Sequence, residues 1–205
     1  MYVSIYNNPK ERMFNTYSWV YWDNSFTTQE LDQITSYCQE RGTKPSSILG
    51  STEEKDVEKV RVSTVHFHHR DENTSWIFDR LNASIAILNE RFYGFNLNGY
   101  DSFQYTEYDG SKHGKYDWHM DMQLGDNTLG ETRKLSLVLN LTEPNKDYEG
   151  GSFQLNVGME EEPDHVIFPR GRIIAFPSFM IHRVTPVTKG IRRSLVIWVT
   201  GPKFI

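Results

Sequence analysis

Leu135, Leu137, Leu139 and Leu141 alternate with Ser136, Val138, Asn140 and Thr142, and no other stretch restricts the fold as much. A period of two is the period of an extended strand, whose successive side chains point to opposite faces. One face of this strand is all leucine and must be covered by an apolar layer. The other face carries Ser136 and Asn140 and has a different task.

The rest of the second half agrees. From about Tyr100 the chain reads as short strands, over 101–108, 116–121, 152–156, 165–168, 172–177, 182–187 and 192–200 besides the leucine strand. Turn chemistry separates them: Asp109-Gly110, Gly125-Asp126, Gly150-Gly151 and Pro169-Arg170-Gly171. Eight short strands so spaced predict a double-sheet jelly roll, or double-stranded β-helix, rather than a parallel sheet. Two helices precede it. Thr27 and Glu30 form a capping box, Leu31, Ile34 and Cys38 fall on one face, and Gly42 is a stop. A second helix is expected from Thr74 to Phe92, with Ile77, Leu81, Ile85, Leu88 and Phe92 at helical spacing and Gly94 after it. These helices are expected to pack on one outer sheet face, over the leucines. The segment from Thr43 to Asp56 is polar, contains Pro45 and Gly50, and is read as a loop.

A length of 205 residues suits one domain with a sizeable core. Residues 1–99 are expected to support a core of 100–205. The net charge of -5 is spread along the chain, which argues against nucleic acid or an anionic membrane as the main partner. The lone Cys38 forms no intramolecular disulfide and reads as a small apolar helix residue, in keeping with a reducing compartment. The N-terminal MYVSIYNNPKERMF has charges where a signal peptide needs an apolar core. No apolar run approaches the roughly 20 residues of a membrane span. A cytoplasmic protein is the expectation.

Tyr116-Asp117-Trp118-His119-Met120-Asp121 carries the first chemical signal. On an extended strand His119 and Asp121 point the same way. His182, at the head of a later strand, is the candidate third ligand, because a jelly roll makes distant strands neighbours. Two neutral imidazoles and a carboxylate leave adjacent coordination positions open, as a non-haem Fe(II) oxygenase requires. A structural zinc site would be closed by four ligands, usually with thiolates, and this chain has one cysteine. Alone, a His-x-Asp tripeptide is common on ordinary surfaces. Ten residues past His182 stands Arg192. With Lys189-Gly190 read as a turn between two strands, Arg192 enters the same barrel mouth, where a guanidinium clamps a carboxylate through two charge-assisted hydrogen bonds. Taken alone, Arg192 and Arg193 read more readily as exposed edge residues.

Several segments in order resemble the 2-oxoglutarate/Fe(II) dioxygenases of the prolyl 4-hydroxylase type, and look closest to the bacterial and phage PKHD-type hydroxylases. They are Trp76-Ile77-Phe78-Asp79-Arg80-Leu81, Gln104-Tyr105-Thr106-Glu107-Tyr108, the segment 116–121, Arg133-Lys134-Leu135-Ser136, Tyr148-Glu149-Gly150-Gly151-Ser152-Phe153, Pro169-Arg170-Gly171, and 182–190 with Arg192. The resemblance implies a double-stranded β-helix, iron held by His119, Asp121 and His182, and a 2-oxoglutarate carboxylate held by Arg192 and Tyr108. It implies Phe153 and Trp198 as pocket walls. Asn140 stands where related enzymes often carry Tyr or Phe, and is expected to offer a hydrogen bond to the co-substrate instead. Arg133 matches an arginine near the site mouth and Trp118 adjoins the first ligand; both are candidates to touch the prime substrate, though alternation turns Trp118 away from the iron. The implied activity is hydroxylation of a C–H bond, first of all in a prolyl residue of a peptide or protein. It consumes O2 and 2-oxoglutarate, yields succinate and CO2, and uses ascorbate as a possible reductant. No catalytic residue beyond the metal centre is implied, and the oligomeric state is left open. The competing readings are a non-catalytic jelly-roll module, a cupin-like hydrolase or isomerase with another metal, and an oxygenase acting on a non-prolyl substrate.

Other polar clusters have plainer readings. His66 and His68 point one way and His69 the other, as surface or core histidines. His113 reads as exposed and His165 as structural. Glu160-Glu161-Glu162 reads as a solvated loop. Gly150-Gly151 reads as a tight turn that allows close backbone approach.

Overall fold

The computed structural model describes residues 17–47, 54–122, 130–158 and 164–203. The capped helix forms as the sequence dictates. α1 spans Thr28–Glu40, with Thr27 Oγ1 accepting from the Glu30 amide and Glu30 accepting from the Thr27 amide. Its buried residues are Leu31, Ile34 and Cys38. The segment expected to be a loop contains more order. A two-residue strand, Lys44–Pro45, and a short helix, α2 (Glu54–Val60), lie within or across it. Their pattern is too short to carry a period. The second expected helix, α3, runs Ser75–Leu88 and then widens into a π-helical turn, Asn89–Tyr93, before Gly94 ends it at φ 62°.

In chain order the strands are β1 (Val20–Trp22), β2 (Lys44–Pro45), β3 (Arg61–Val62), β4 (Thr64–His69), β5 (Ser102–Asp109), β6 (Lys115–His119) and β7 (Glu131–Asn140). They continue as β8 (Tyr148–Gly150), β9 (Phe153–Asn156), β10 (Asp164–His165), β11 (Ile173–Pro177), β12 (Ile181–Val184) and β13 (Val187–Pro202). The larger sheet has the order β1-β11-β7-β13-β5-β4-β2, with β8 also paired to β13. The smaller has the order β10-β9-β12-β6-β3. All these pairs are antiparallel. This is the jelly roll, and β1 to β4 extend it with strands from before residue 100.

The two faces of β7 explain the layers. Leu135, Leu137, Leu139 and Leu141 pack with α1 and α3, against Leu31, Ile34, Ile77, Leu81 and Leu88. Cys38 lies in the same cluster, fully buried. The opposite face meets the smaller sheet, where Val138, Ile174 and Phe176 pack with Phe153, Leu155 and Val184. Helix cover on one side leaves the other side of the large sheet free to face a cavity.

One expected turn is absent. Lys189 and Gly190 lie inside the 16-residue β13, whose partner changes from β8 to β5 and β7 along its length. Gly190 takes φ 69° there, so a kink replaces the reversal. From Ile181 to Gly190 the chain instead keeps one direction, antiparallel to residues 148–156, with β12 paired to β9 and the start of β13 paired to β8.

Candidate metal and co-substrate site

β6 and β12 pair with His119 opposite His182, so the two imidazoles meet across the strands. Asp121 lies just past the end of β6. Its amide and that of Met122 both donate to the Ser178 carbonyl, at 3.0 and 2.8 Å, which anchors this bend to the β11–β12 turn. His119 Nε2 lies 3.8 Å from Asp121 Oδ1 and His182 Nε2 lies 3.6 Å from Oδ2. One ligand atom from each residue falls within 4.8 Å of the others.

The backbone sets the tautomers. His119 Nδ1 donates to the Asp117 carbonyl at 2.7 Å, and His182 Nδ1 donates to the Met180 carbonyl at 2.9 Å. A carbonyl only accepts, so each Nδ1 carries a proton, and in the neutral ring it is Nε2 that presents a lone pair. Burial and the neighbouring His182 push the His119 pKa down to about 3, so this ring is neutral at neutral pH. Burial opposes ionisation of Asp121, but His182, His119, Ser136 and Trp198 outweigh it and hold its pKa below the ordinary value. Asp121 Oδ2 is buried with no hydrogen-bond donor. Three potential ligand atoms thus converge. Leaving a buried carboxylate oxygen unpaired is costly, and a divalent cation satisfies all three at once.

Arg192 enters from β13, opposite Tyr108 of β5. It is 1% exposed, and its Nε and Nη2 have no hydrogen-bond partner. No carboxylate pairs with it among the described residues; its neighbour Arg193 faces the other way and pairs with Glu107 at 2.9 Å. Aromatic rings surround the buried guanidinium, with Tyr108 at 5.5 Å and Phe168 at 5.6 Å from its central carbon. Room for its stem comes from Gly151, at φ 60°, where a Cβ would come within 3.2 Å of Arg192 Cδ. A buried, unpaired cation is expensive unless an anion joins it.

One cavity is lined by His119, Asp121, His182, Arg192, Tyr108, Phe153 and Trp198 together. Asn140 is not part of its lining. Its amide nitrogen donates to the carbonyls of Thr142 and Phe168, at 2.7 and 2.5 Å, which leaves it no hydrogen for a co-substrate. The expected Asn140 contact is therefore replaced by a structural role holding the Phe168 loop. Trp118 lies on the other side of the small sheet, 4.4 Å beneath the Arg183 guanidinium, as alternation requires. Arg133 lies beside the site. Its guanidinium is 4.1 Å from the Trp198 ring and Nη1 donates to the Asp121 carbonyl at 3.4 Å.

Among the lining residues that the sequence reading does not single out are Tyr116, Arg61 and Gln104. Gln104 shares a strand face with Thr106 and Tyr108, and period-two spacing from Tyr108 points to it. Arg61 has no local signal. The remaining histidines behave as ordinary residues. His68 is buried, stacked on His66 at 4.3 Å, and His113 is exposed. The side chain of His165 and the run Glu160-Glu161-Glu162 lie outside the described residues.

Residues 103–200 match the 2OG-Fe(II) oxygenase superfamily. A PKHD-type hydroxylase of Alteromonas mediterranea is 37% identical over 87 residues, which cover 41% of this chain and 37% of that protein. Another, from Picosynechococcus, is 43% identical over 76 residues, covering 36% and 33%. The matched region thus spans about a third of the length of these curated relatives. In fold, a Pseudomonas putida prolyl-4-hydroxylase superposes with a TM-score of 0.71 at 18% identity, covering 92% of this chain and 95% of that one. A Trichoplax adhaerens prolyl hydroxylase, in complex with a hypoxia inducible factor peptide fragment, gives 0.69 at 19% identity, covering 89% and 83%. Over residues 103–200 this chain therefore matches the 2OG-Fe(II) oxygenase superfamily, and it is similar there to PKHD-type hydroxylases.

Proposed function

We propose that the chain is an Fe(II)- and 2-oxoglutarate-dependent dioxygenase that hydroxylates a C–H bond, with a prolyl residue of a peptide or protein as its prime substrate. The observation that carries this reading is the shared cavity. The fully buried Arg192, without an anionic partner among the described residues, opens onto the same space as His119, Asp121 and His182. A metal alone needs no buried guanidinium. A dicarboxylate that reaches the metal at one end needs an anchor of this kind at the other.

In this reading His119, Asp121 and His182 hold Fe(II), and Arg192 with Tyr108 takes the far carboxylate of 2-oxoglutarate. Bound Fe(II) with O2 and 2-oxoglutarate supplies the oxidation that replaces C–H by C–OH, with succinate and CO2 as co-products. The protein supplies the rest. Phe153, Val138, Val184 and Val196 line the cavity with apolar surface and exclude water. Trp198, with Arg133 above it, forms the wall next to Asp121. The Nδ1 hydrogen bonds fix which imidazole nitrogen is offered to the metal. Proline comes from likeness to prolyl hydroxylases, one of them in complex with a peptide. Ascorbate as reductant and a cytoplasmic setting belong to the same proposal.

The test is succinate formation from 2-oxoglutarate with Fe(II), O2 and a proline-containing peptide. Succinate formed together with a hydroxylated peptide is the expected result, and Arg192→Ala should raise the 2-oxoglutarate concentration needed by at least about tenfold. Succinate without peptide oxidation would reject the prolyl substrate and keep the oxygenase. No succinate under any condition would reject the oxygenase in favour of a non-catalytic module.

A further inference from the structure

The two histidine ligands are supported unequally. His182 is wedged by Phe176, with ring centroids 4.6 Å apart, and by Phe153 at 5.6 Å; both phenylalanines are buried. His119 sits on the short strand β6 and keeps 14% of its side chain exposed. Apart from His182, the ring stacked against it is Tyr116, with centroids 3.4 Å apart and planes 14° from parallel.

A regular strand would not allow this stack. Residues three apart in a strand point to opposite faces. Here Val184 pairs with Tyr116 and His182 pairs with His119, so two steps along β12 match three along β6. The extra residue is a β-bulge at Asp117-Trp118. A bulge advances the side-chain phase by one and turns the residues beyond it to the other face. It brings Tyr116 and His119 to the same face. The Asp117 carbonyl, within the bulge, also accepts the His119 Nδ1 hydrogen bond. Behind Tyr116, the neighbouring strand β3 places Arg61 directly opposite it. The guanidinium carbon of Arg61 lies 4.5 Å from the Tyr116 ring centroid. Arg61 is 7% exposed, and its Nε donates to Ser63 Oγ at 2.8 Å, which fixes the guanidinium in place.

We propose that Tyr116 and Arg61 are positioning residues for the metal ligand His119. The hydrogen bond to Asp117 selects the tautomer and sets the ring's rotation. The Tyr116 face, backed by the Arg61 cation–π contact, sets its tilt and keeps Nε2 aimed at the space shared with Asp121 and His182. The tyrosine acts through its ring, so its hydroxyl is dispensable for this role.

This inference rests on the metal-binding reading of the triad, and the test separates the two. Metal-free protein is titrated with Co(II) by calorimetry, and the visible absorption bands of bound Co(II) are recorded. Tyr116→Phe should bind within about twofold of the unmodified protein with unchanged bands. Tyr116→Leu should bind about tenfold more weakly, the lower end of what lost ligand support costs, and its bands should shift. Arg61→Met should show a smaller loss, about threefold, with bands shifted the same way. Thermal midpoints of the metal-free proteins establish that the variants are folded. A folded Tyr116→Leu with unaltered affinity and bands would overturn the positioning role. Should that variant not fold, Arg61→Met decides by the same two readouts, and unaltered values overturn the proposal. Unmodified protein that binds no Co(II) would overturn the metal site itself, and the positioning role with it.

Discussion

His68 shows how much a single residue's surroundings decide. It is buried between His66 and Phe103, and its Nε2 has no hydrogen-bond partner. Burial first, then the positive charge of His66 and Arg41, push its pKa down to about 4, with Asp71 opposing. The ordinary value is 6.5. Between these two pH values the unfolded chain takes up a proton that the folded chain refuses. The stabilising contribution is therefore present above pH 6.5 and is lost as the pH falls towards 4. Comparing urea midpoints at pH 7 and pH 4.5 tests this. His68→Phe, which keeps the stacked ring, should lose less stability on acidification than the unmodified protein; an equal loss would place the acid sensitivity elsewhere. At this scale the sequence is readable where a residue's neighbours lie in its own strand. Alternation places His66 with His68, His119 with Asp121, and Trp118 on the far face. It does not reveal that Asn140 gives both amide hydrogens to backbone carbonyls, because those carbonyls come from Thr142 and a distant Phe168.

At the scale of elements, β13 carries the site. It runs from its pairing with β8 into the helix-covered sheet between β5 and β7, and Arg192 stands two residues past its kink. The sequence points to a turn at Lys189-Gly190, since glycine next to lysine is ordinary turn chemistry. What decides between a turn and a kinked strand is the partner on each side, and β8 is remote in sequence. Gly190 has φ 69°, and a Cβ there would collide with the Asp147 carbonyl oxygen. Gly158 has φ 79° and open space around it. Gly190→Ala should therefore cost roughly 3 kcal/mol or more of folding stability, whereas Gly158→Ala should cost about 1 kcal/mol, the conformational part alone. Denaturant unfolding of both variants measures the difference, and equal losses would mean that β13 yields at the kink. The bulge in β6 is hidden for the same reason. Asp117-Trp118 looks like plain strand, and the extra residue is visible only against β12.

Over the whole molecule, the jelly roll is legible because its signal is repeated. Leu135 to Leu141, the turn glycines and the capped α1 each point to the same layered arrangement. The early strands β1 to β4 are not, being two to six residues long and drawn into the sheets by pairing rather than by pattern. The candidate ligand set is legible as three residues plus an arginine, and folding brings all four to one cavity. The shell behind them, Tyr116 and Arg61, depends on a strand-to-strand register that no single segment contains.

The central claim is that one cavity holds a divalent metal and a dicarboxylate together. Anaerobic calorimetric titration of 2-oxoglutarate into the protein tests it most directly, with and without Mn(II) as a redox-inert substitute for Fe(II). Saturable binding is expected only with the metal present, weakened by about tenfold or more in Arg192→Ala and abolished in His119→Ala. Binding of equal strength without metal, or unaffected by both substitutions, would contradict the account.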